Sequence, residues 1–411
     1  MYDWANSGYG LIVIGPLFSF YFIRELLPKL PGGAESTGLA IGPVTIPGSG
    51  MMGILNSVSM AAMAVAAPVL GAVADIKGWT KRLLIVHALT GSLLAMGMFF
   101  LRPGDWLLGA LLYLTSNFCF GTSFAFSNAF LPRLTRPEKQ GSLSGWGFAM
   151  GYVGGAVALI VASTFDNPRL GLALGGLWWL VFSLPAFIFL KEFPSQATER
   201  DKGPLLMAGF RRIGHTFRNI RRYRTLFLFL LAFLLYNDGI ETVISMSPSF
   251  GTEVLKMTQA ELVRMFLVVQ FVAFGGALGF GYLADKIGNK PVIIMTLLVW
   301  TLAAFAALVI RTPAQFTILG VVIGLVLGGV QASSRALMGE LAPKQIHNEA
   351  FGFFSISGKF ASIFGPLFYA VLATGMGPRW GVLSVPPFLA AGFVVLMLVR
   401  EPRTEAAQRS A

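Results

Sequence analysis

Cysteine, histidine and charged side chains are all scarce in this sequence of 411 residues. A single cysteine, Cys119, excludes an internal disulfide framework. The three histidines, His87, His215 and His347, do not stand at metal-ligand spacing, and no nucleophile is paired with a base. The sequence also lacks a Walker-type phosphate loop, which argues against an ATP-driven pump. We therefore predict neither an enzyme nor a protein that holds a metal or another cofactor.

Charged residues account for 12% of the chain and hydrophobic residues for 55%, whereas soluble domains carry about 25% charged residues. The 48 glycines fit a membrane protein, because glycine lets neighbouring helices approach closely. A net charge of +12 could indicate a nucleic-acid partner. The basic residues, however, lie in short loops between hydrophobic runs, as the topology rule for membrane proteins requires. The sequence therefore predicts an integral membrane protein with no nucleic-acid partner.

Twelve hydrophobic runs are each long enough to cross a bilayer, which takes about 20 apolar residues. All twelve are predicted to be helices, because a helix satisfies its own backbone hydrogen bonds in lipid. The first run begins almost at Met1 and lacks a charged start, so no cleavable signal peptide is predicted. Helices 1 to 12 are predicted at residues 4–23, 51–74, 83–101, 106–131, 141–165, 170–190, 225–250, 259–283, 292–310, 314–340, 349–373 and 380–399.

The runs fall into two groups of six. We predict an N-terminal six-helix bundle at 1–190, a linker at 191–224, a C-terminal six-helix bundle at 225–400 and a tail at 401–411. With both termini and the linker in the cytoplasm, 21 Lys and Arg residues lie inside and 8 outside. Cytoplasmic loops are rich in Lys and Arg, so this orientation is the predicted one. We expect a monomer in a bacterial cytoplasmic membrane.

The linker carries apolar residues at alternating spacings of four and three, from Leu206 to Ile220. Such a pattern predicts an amphipathic helix that lies on the inner leaflet and favours anionic lipid. A solvated basic tether is the alternative. The other face of the predicted helix holds Arg211, Arg212, Arg218, Arg221 and Arg222.

A short motif occurs twice, each time after an even-numbered helix. The first copy consists of Gly71, Asp75 and Gly78, followed by Lys81 and Arg82. The second copy stands 210 residues later and consists of Gly281, Asp285 and Gly288, followed by Lys290. The glycine permits a close helix contact, and the aspartate can cap a neighbouring helix N-terminus. Two related six-helix halves are typical of a transporter with its site between them.

This motif resembles the loop signature of the major facilitator superfamily, found between helices 2 and 3 and between helices 8 and 9. The first copy departs from the signature in having Trp79-Thr80 before its basic pair, and the second has one lysine followed by Pro291. The resemblance implies an all-α integral membrane protein with the major facilitator fold. Its 12 transmembrane helices would form two pseudo-symmetric six-helix halves that work by alternating access.

A narrower resemblance covers nearly the whole chain, from Tyr2 to about Pro366. The segments 2–7 (YDWANS), 128–132 (NAFLP), 236–239 (YNDG), 331–335 (QASSR) and 351–360 (FGFFSISGKF) are similar to the vacuole-effluxer family. That family comprises the autophagy-related amino-acid effluxers and their bacterial relatives. Membership implies export of neutral amino acids, from the fungal members, and leaves the substrate of bacterial members open.

Polar residues inside the hydrophobic runs are the candidates for the site. A charge near the middle of a bilayer costs at least ~2.5 kcal/mol, so such residues are functional candidates, with a structural ion pair as the alternative. In the superfamily layout, helices 1, 4, 7 and 10 line the cavity, with helices 5, 8 and 11 beside them. Polar residues on these helices are Asp3, Asn6, Asn117, Asn128, Asn237, Asp238, Glu241, Gln270, Gln331, Arg335 and Lys359.

Depth along the helices sorts the charged candidates. Asp238 stands ~20 Å and Lys359 ~15 Å from the inner ends of their helices, so Asp238 or Glu241 could pair with Lys359 near the midplane. Arg335 stands only ~8 Å from the inner end of helix 10, near Asp3, which predicts a contact at an inner gate.

The predicted substrate and coupling-ion set suits a zwitterion, which needs one carboxylate and one cationic partner. A carboxylate in a poorly solvated cavity can also carry a coupling proton. For Asn128, Gln270 and Gln331, hydrogen bonding between helices is an equal alternative. The set is Tyr236, Asn237, Asp238, Glu241, Lys359, Arg335, Gln331, Asn128 and Gln270. The predicted gating set is Asp3, Asn6, Gly71, Asp75, Gly78, Lys81, Arg82, Gly281, Asp285 and Gly288.

The predicted function is secondary active transport of a small polar or zwitterionic solute. An amino acid moving outward with proton coupling fits the residues and the resemblance. Two alternatives stay open: transport of a drug-like, lipidic or organic-ion solute, and a transporter-like sensor or docking protein without flux.

Overall fold

Helices that are long and apolar enough to cross a membrane dominate the computed structural model, which describes residues 1–30, 37–41, 44–165, 167–198, 201, 203–361 and 364–401. Twelve such spans lie within the described residues, as the hydrophobic runs predicted. Of the predicted tail only Glu401 is described, and the rest of that segment lies outside the described residues.

The first six spans are separated by short connections. Helix 1 has two α-helical segments, Tyr2–Tyr9 and Pro16–Tyr21, and each is followed by a π-helical turn, Gly10–Ile14 and Phe22–Leu26. The next five spans are helix 2 at Gly48–Lys77, helix 3 at Thr80–Gly97, helix 4 at Trp106–Ala129, helix 5 at Gln140–Ser163 and helix 6 at Pro168–Phe189. Short helical turns lie beside these helices, at Met98–Phe100, Leu131–Leu134 and Pro137–Lys139.

The second six spans follow the linker helix, Leu205–Arg218. Helix 11 consists of two α-helical segments, His347–Phe360 and Phe364–Met376, whereas a continuous helix was predicted there. The other five spans are helix 7 at Arg224–Ser249, helix 8 at Gln259–Ile287, helix 9 at Asn289–Ala307, helix 10 at Pro313–Leu341 and helix 12 at Val385–Met397. Short helical turns lie beside helices of this half, at Phe250–Val254, Lys344–Ile346 and Trp380–Ser384.

The first loop contains a β-hairpin that the sequence did not predict. Strand β1, Gly38–Ile41, pairs antiparallel with β2, Val44–Pro47, so that Leu39 lies opposite Ile46. This loop marks one side of the molecule, which we call the hairpin side. The other side carries the N-terminus, the linker helix and Glu401, and we call it the linker side.

Capping residues in the sequence stand where several helices begin or end. Helix 8 starts with a capping box in which Thr258 and Glu261 bind each other's backbone N–H groups, and Thr312 and Gln315 form the equivalent box of helix 10. Helix 2 ends at Gly78, whose φ of 68° suits a residue without a side chain. These signals stop and start helices at the membrane boundaries that the hydropathy predicted.

Each group of six helices has its own hydrophobic core. One cluster of buried residues is drawn from Tyr2 to Phe193, and the other is drawn from Leu226 to Val399 together with Ala129. In each half, a carboxylate caps the third helix in the same way. Glu192 accepts the N–H of Lys81 at 2.7 Å, and Glu401 accepts the N–H of Asn289 at 2.8 Å. The third helix of each half is thus capped by a carboxylate that stands shortly after the sixth helix, which agrees with the duplicated motif.

The two halves meet on the linker side. Helix 5 packs against helices 8 and 10, and the first segment of helix 11 packs against helices 2 and 4. At the helix 5–helix 8 contact, a Cβ added to Gly281 would lie 2.8 Å from the carbonyl oxygen of Gly141. Such close backbone contact explains why glycines stand at equivalent places in both halves.

The linker helix corrects one prediction. Its arginines were all expected on a lipid-facing side, but Arg212 turns inward and only 10% of its side chain is exposed. The reason is its position beside Ala208, Gly209 and Thr216, which form the face that packs on helix 2. Leu206, Met207, Phe210, Phe217 and Ile220 remain exposed apolar residues.

Candidate functional site: a central cavity and its linker-side closure

Asp75 fastens helix 2 to helix 11. Its Oδ1 accepts the backbone N–H of Asn348 at 3.1 Å and the Asn348 side-chain amide at 2.7 Å, while its Oδ2 accepts the N–H of Glu349 at 3.1 Å. The carboxylate therefore caps the N-terminus of helix 11, where unpaired N–H groups and the helix dipole favour a negative charge. Gly71 makes the approach possible, since an added Cβ would lie 2.5 Å from the carbonyl oxygen of Asn348.

The second copy of the motif makes the matching contact. Asp285, at the end of helix 8, accepts the N–H of Ser142 at the start of helix 5, at 3.1 Å. Both copies therefore join one half to the other through an aspartate at a helix N-terminus. In the first copy, the backbone N–H groups of Lys81 and Arg82 bind Glu192 within their own half.

Arg335 on helix 10 lies at the centre of the closure, in the contact with Asp3 that its depth predicted. Its Nη1 lies 3.0 Å from both carboxylate oxygens of Asp3 on helix 1. It also binds Asn128 of helix 4 at 3.2 Å and the Ser144 hydroxyl of helix 5 at 2.9 Å. The guanidinium packs 4.3 Å from the ring centre of Phe148. Arg335 thus joins helix 10 to three helices of the other half.

A cavity of about 350 Å³ lies between the halves above this ion pair. Polar and charged groups from both halves face it, and its walls are otherwise aromatic and aliphatic. Its volume suits a small organic solute. The polar lining comes from Asp3, Asn6, Ser7, Asn237, Glu241, Gln331, Ser355 and Lys359, and the apolar lining includes Met60, Met63, Phe120, Phe124, Phe148, Phe233, Phe354 and Phe360.

The opposite charges in the cavity are Glu241 on helix 7 and Lys359 on helix 11. Both side chains line the cavity, and their opposite charges lie close enough to interact. The Lys359 ammonium also lies 5.9 Å from the ring centre of Phe120, which belongs to the other half. The cavity therefore offers a carboxylate and an ammonium group to a solute.

Asp238, the other carboxylate predicted as a partner for Lys359, lies away from the cavity. Its side chain is only 2% exposed and does not line the cavity. Its Oδ2 accepts the backbone N–H of Gly365 at 2.8 Å, at the start of the second segment of helix 11. That N–H group lies in the first turn of this segment, where it has no partner within the helix, and Asp238 satisfies it. Of the two carboxylates, Glu241 is the one that shares the cavity lining with Lys359.

The other predicted substrate residues divide into two groups. Asn237 and Gln331 line the cavity, and Gln331 accepts a hydrogen bond from the Tyr152 hydroxyl at 2.6 Å. Tyr236 is buried against Ser334, with 2.6 Å between their hydroxyl oxygens, and Asn128 binds Arg335. Tyr236 and Asn128 lie outside the cavity lining, and so does Gln270 on helix 8.

Several residues at the closure escaped the sequence-based prediction. Ser144 and Tyr152 on helix 5 bind the predicted residues Arg335 and Gln331, and Glu349 joins the closure at helix 11. The Nε2–H of His347 donates to the carbonyl oxygen of Ala129, 2.8 Å away across the boundary between the halves. Of these residues, only Glu349 could have been predicted from the sequence. Like Asp3, it is a carboxylate near the start of a hydrophobic run.

Two halves built on one repeat, meeting around a polar cavity in the membrane, define a transporter of the major facilitator superfamily, and a transporter is not an enzyme. Within it, this chain belongs to the family described as vacuole effluxer Atg22 like, whose model matches residues 1–409. The protein is therefore a multi-pass integral membrane transporter with relatives among the vacuolar effluxers.

Curated relatives come from bacteria and fungi. The MFS-type transporter YxiO of Bacillus subtilis is 30% identical over 416 residues, which cover 98% of this chain and 94% of the relative. Autophagy-related protein 22-1 of Penicillium rubens is 25% identical over 445 residues, covering 85% of this chain and 75% of the relative.

Solved structures share the fold. The proton:xylose symporter XylE superposes with a TM-score of 0.74 at 13% identity, covering 97% of this chain and 94% of that one. A bacterial homologue of the iron transporter ferroportin gives a TM-score of 0.72 at 15% identity, with 96% of both chains covered.

Proposed function

We propose that the protein exports a small zwitterionic solute, an amino acid, by alternating access coupled to protons. The observation that carries this proposal is the central cavity, where Glu241 and Lys359 present opposite charges from helices 7 and 11 of the C-terminal half. A zwitterion carries both complementary groups, so it can satisfy the ammonium and the carboxylate together. A solute with one charge would leave one of the two without a partner.

Alternating access is supported by the location of the contacts between the halves. The Asp75, Asp285 and Arg335 bonds all close the linker side, below the cavity. Each is a hydrogen bond or ion pair that water could replace if the halves rocked apart. With the termini and the linker in the cytoplasm, as the Lys and Arg distribution predicts, the described state is closed to the inside.

Proton coupling is assigned to the carboxylates of the cavity. Glu241 faces Lys359, and Asp3 stands in the cavity floor against Arg335. A proton on either carboxylate removes the charge that holds its basic partner. Protonation can therefore weaken one contact while a solute takes over the other.

The apolar walls support a second candidate substrate, an organic ion with an apolar body. Rings such as those of Phe120, Phe148 and Phe354 could hold its apolar part. The same assay distinguishes the two candidates, since an organic ion with a single charge should need only one of Glu241 and Lys359.

The test is counterflow in proteoliposomes against a panel of amino acids and organic ions, with and without a proton gradient. We expect counterflow of at least one neutral amino acid, accelerated by the gradient, and its loss in both Glu241→Gln and Lys359→Met. Glu253→Gln and Lys344→Met, which change exposed charges outside the cavity, serve as matched controls. Absence of counterflow for every amino acid in the panel, or wild-type rates in both cavity variants, would overturn the proposal.

A further inference from the structure

The linker helix lies across the junction between the two halves. On one side Gly209 packs on helix 2, where an added Cβ would lie 3.1 Å from the carbonyl oxygen of Val69. On the other side the ring of Phe217 lies 5.8 Å from that of Phe227 on helix 7 and 5.4 Å from that of Phe353 on helix 11. The helix therefore touches both halves at the place where they close.

Arg212 fastens this helix to the preceding part of the linker and to the C-terminal half. Its guanidinium donates to the carbonyl oxygen of Gln196, which follows the N-terminal half, at 3.3 Å, and lies 3.5 Å from the Asp201 carboxylate. It also donates to the carbonyl oxygen of Gln345, in the loop before helix 11. The planar fork of arginine suits this arrangement, because its several N–H groups can bind separate acceptors at once.

Arg212 is also the cation that faces a buried pair of carboxylates. Glu349 is 0% exposed, and neither of its carboxylate oxygens has a partner at hydrogen-bond geometry among the described residues, although the Thr216 hydroxyl is near. Its charged neighbours are Asp75, whose oxygens already accept N–H groups of helix 11, and Arg212, whose Nε lies 4.0 Å from Glu349 Oε2.

Burying a carboxylate without a compensating charge is costly. In the closed arrangement Glu349 and Asp75 are held together inside the protein, and Arg212 supplies the opposite charge from the linker helix. When the halves separate on this side, water can reach both carboxylates and the need for Arg212 falls. The closed arrangement thus depends on the linker helix in a way that the open one does not.

We propose that Arg212 is a gating residue, through which the linker helix holds the linker side closed. The linker is then part of the gate, and release of Arg212 from Gln345 and Glu349 accompanies opening. This inference rests on the proposed function only in treating the linker-side contact as a gate.

The distance between two spin labels measures the gate directly. Lys77 ends helix 2 and Lys344 precedes helix 11; both are exposed, and they lie in different halves. Labels at Lys77→Cys and Lys344→Cys, in a Cys119→Ser background and in lipid nanodiscs, should give one short distance for the closed gate. In Arg212→Gln we expect a second, longer distance and a roughly tenfold rise in the open-to-closed ratio.

Matched variants separate gating from simple loss of charge on the linker. Arg218→Gln removes an exposed arginine of the same helix and should leave the distance distribution unchanged. Adding Glu349→Gln to Arg212→Gln should restore the short distance, because the carboxylate that needs compensation is gone. Arg212→Lys keeps the charge but has a single ammonium group, so it should give an intermediate ratio.

A parent-like distance distribution in Arg212→Gln, or an equal shift in Arg218→Gln, would overturn the inference. If Arg212→Gln does not fold, Arg212→Lys decides, and a parent-like distribution there would contradict the bridging role. The measurement needs no solute, so it stands apart from the counterflow assay. A transporter of another solute would still show the Arg212 effect.

Discussion

Arg335 binds three helices of the opposite half, and Asp3 supplies the charge that balances it. Removing that charge leaves a buried guanidinium without a counter-ion. The Ser144 and Asn128 contacts remain, but neither carries a negative charge. We therefore expect the ion pair to contribute more to the free energy of unfolding than either of these hydrogen bonds.

We predict that Asp3→Asn lowers the free energy of unfolding by about 3 kcal/mol, the lower end for breaking a buried pair, because the Asp3 side chain keeps 18% exposure to the cavity. Ser144→Ala, which removes one hydrogen bond to the same arginine, should cost about 1 kcal/mol. Melting in detergent measures both. The double variant Asp3→Asn/Arg335→Gln should be more stable than Asp3→Asn alone. Equal losses in Asp3→Asn and Ser144→Ala would show that the charge is not decisive.

A second residue-level prediction concerns the partner of Lys359. In double-mutant cycles, Glu241→Gln and Lys359→Met should show a coupling energy above about 0.5 kcal/mol, because the two groups act on each other. Asp238→Asn and Lys359→Met should be additive, since Asp238 binds Gly365 instead. Melting of the single and double variants gives both cycles. Coupling in the Asp238 cycle alone would reverse the assignment.

Sequence reasoning reached the right depth in the membrane and left two candidate partners for Lys359. Rise per residue fixes depth along a helix, so it correctly brought Asp3 to Arg335 and brought Lys359 to the level of residues 238–241. Depth cannot distinguish Asp238 from Glu241, which stand three residues apart on one face of helix 7. The deciding feature was the interruption of helix 11. Gly365 followed by Pro366 is a helix-start signal that could have indicated it.

At the scale of single elements, the interruption of helix 11 depends on a close fit. Gly365 lies against helix 7, and a Cβ added there would collide with the Thr242 hydroxyl and lie 2.9 Å from the carbonyl oxygen of Asp238. The same residue donates the N–H group that Asp238 accepts. A side chain at this position should push the second segment of helix 11 away from helix 7.

We therefore predict that Gly365→Ala destabilises the protein by about 1–3 kcal/mol, the usual cost of overpacking. Gly375→Ala, in the same segment, is the control, because an added Cβ there meets nothing within 4 Å. Melting in detergent compares the two. Thr242→Ala should recover part of the loss, since it removes the nearest obstruction. A Gly365→Ala variant as stable as Gly375→Ala would mean that the two helices separate freely here.

The linker helix has a further, outward surface for which we predict anionic lipid. With Arg212 turned inward, the arginines left for headgroups include Arg218, Arg221 and Arg222, beside exposed Phe210. A fluorophore on Phe210→Cys, in Cys119→Ser, should be quenched more by brominated lipid in vesicles containing phosphatidylglycerol than in pure phosphatidylcholine. Replacing the three arginines by Gln should remove the difference.

A second probe on the same face is Gly214→Cys, because residues four positions apart share one face of a helix. Gly214 is exposed, and an added side chain there meets nothing within 4 Å. Its label should show the same dependence on phosphatidylglycerol as the label at Phe210. Equal quenching in the two kinds of vesicle at both positions would show that this face does not lie in an anionic leaflet.

The twelve helices themselves were predictable, because length and hydropathy alone define a membrane span. Breaks within a helix were harder to predict from the sequence. The start of the second segment of helix 11 depends on the contact of Asp238 with Gly365, which connects residues far apart in the chain. Hydropathy averaged over a window smooths over breaks of that size.

At the scale of the whole molecule, the orientation in the membrane is the open question with a direct test. We predict that a membrane-impermeant thiol reagent applied to intact cells labels Glu253→Cys but not Ala197→Cys, both in Cys119→Ser. Both positions are exposed and on opposite sides of the protein. The excess of Lys and Arg on the linker side is the physical reason. Labelling of Ala197→Cys from outside would reverse the topology.

The repeat was the most informative whole-molecule signal in the sequence. Spacing alone related Asp75 to Asp285, and both prove to sit at a helix N-terminus of the other half. The matching caps by Glu192 and Glu401 were not foreseen, because a carboxylate in a loop looks like any other solvated charge. Only the fold shows which N–H groups stand unpaired beside it.

The glycine contacts between helices 5 and 8 have a mechanical consequence. Where Gly145 faces Gly281 and Ala277, backbone meets backbone directly. If the halves rock apart at this contact, few large side chains have to be withdrawn from between the two helices. The polar bonds beside the glycines, such as that of Asp285 with Ser142, are then what must break. A methyl group added at Gly145 would hold the two backbones apart, and it would weaken this closure without touching a charge.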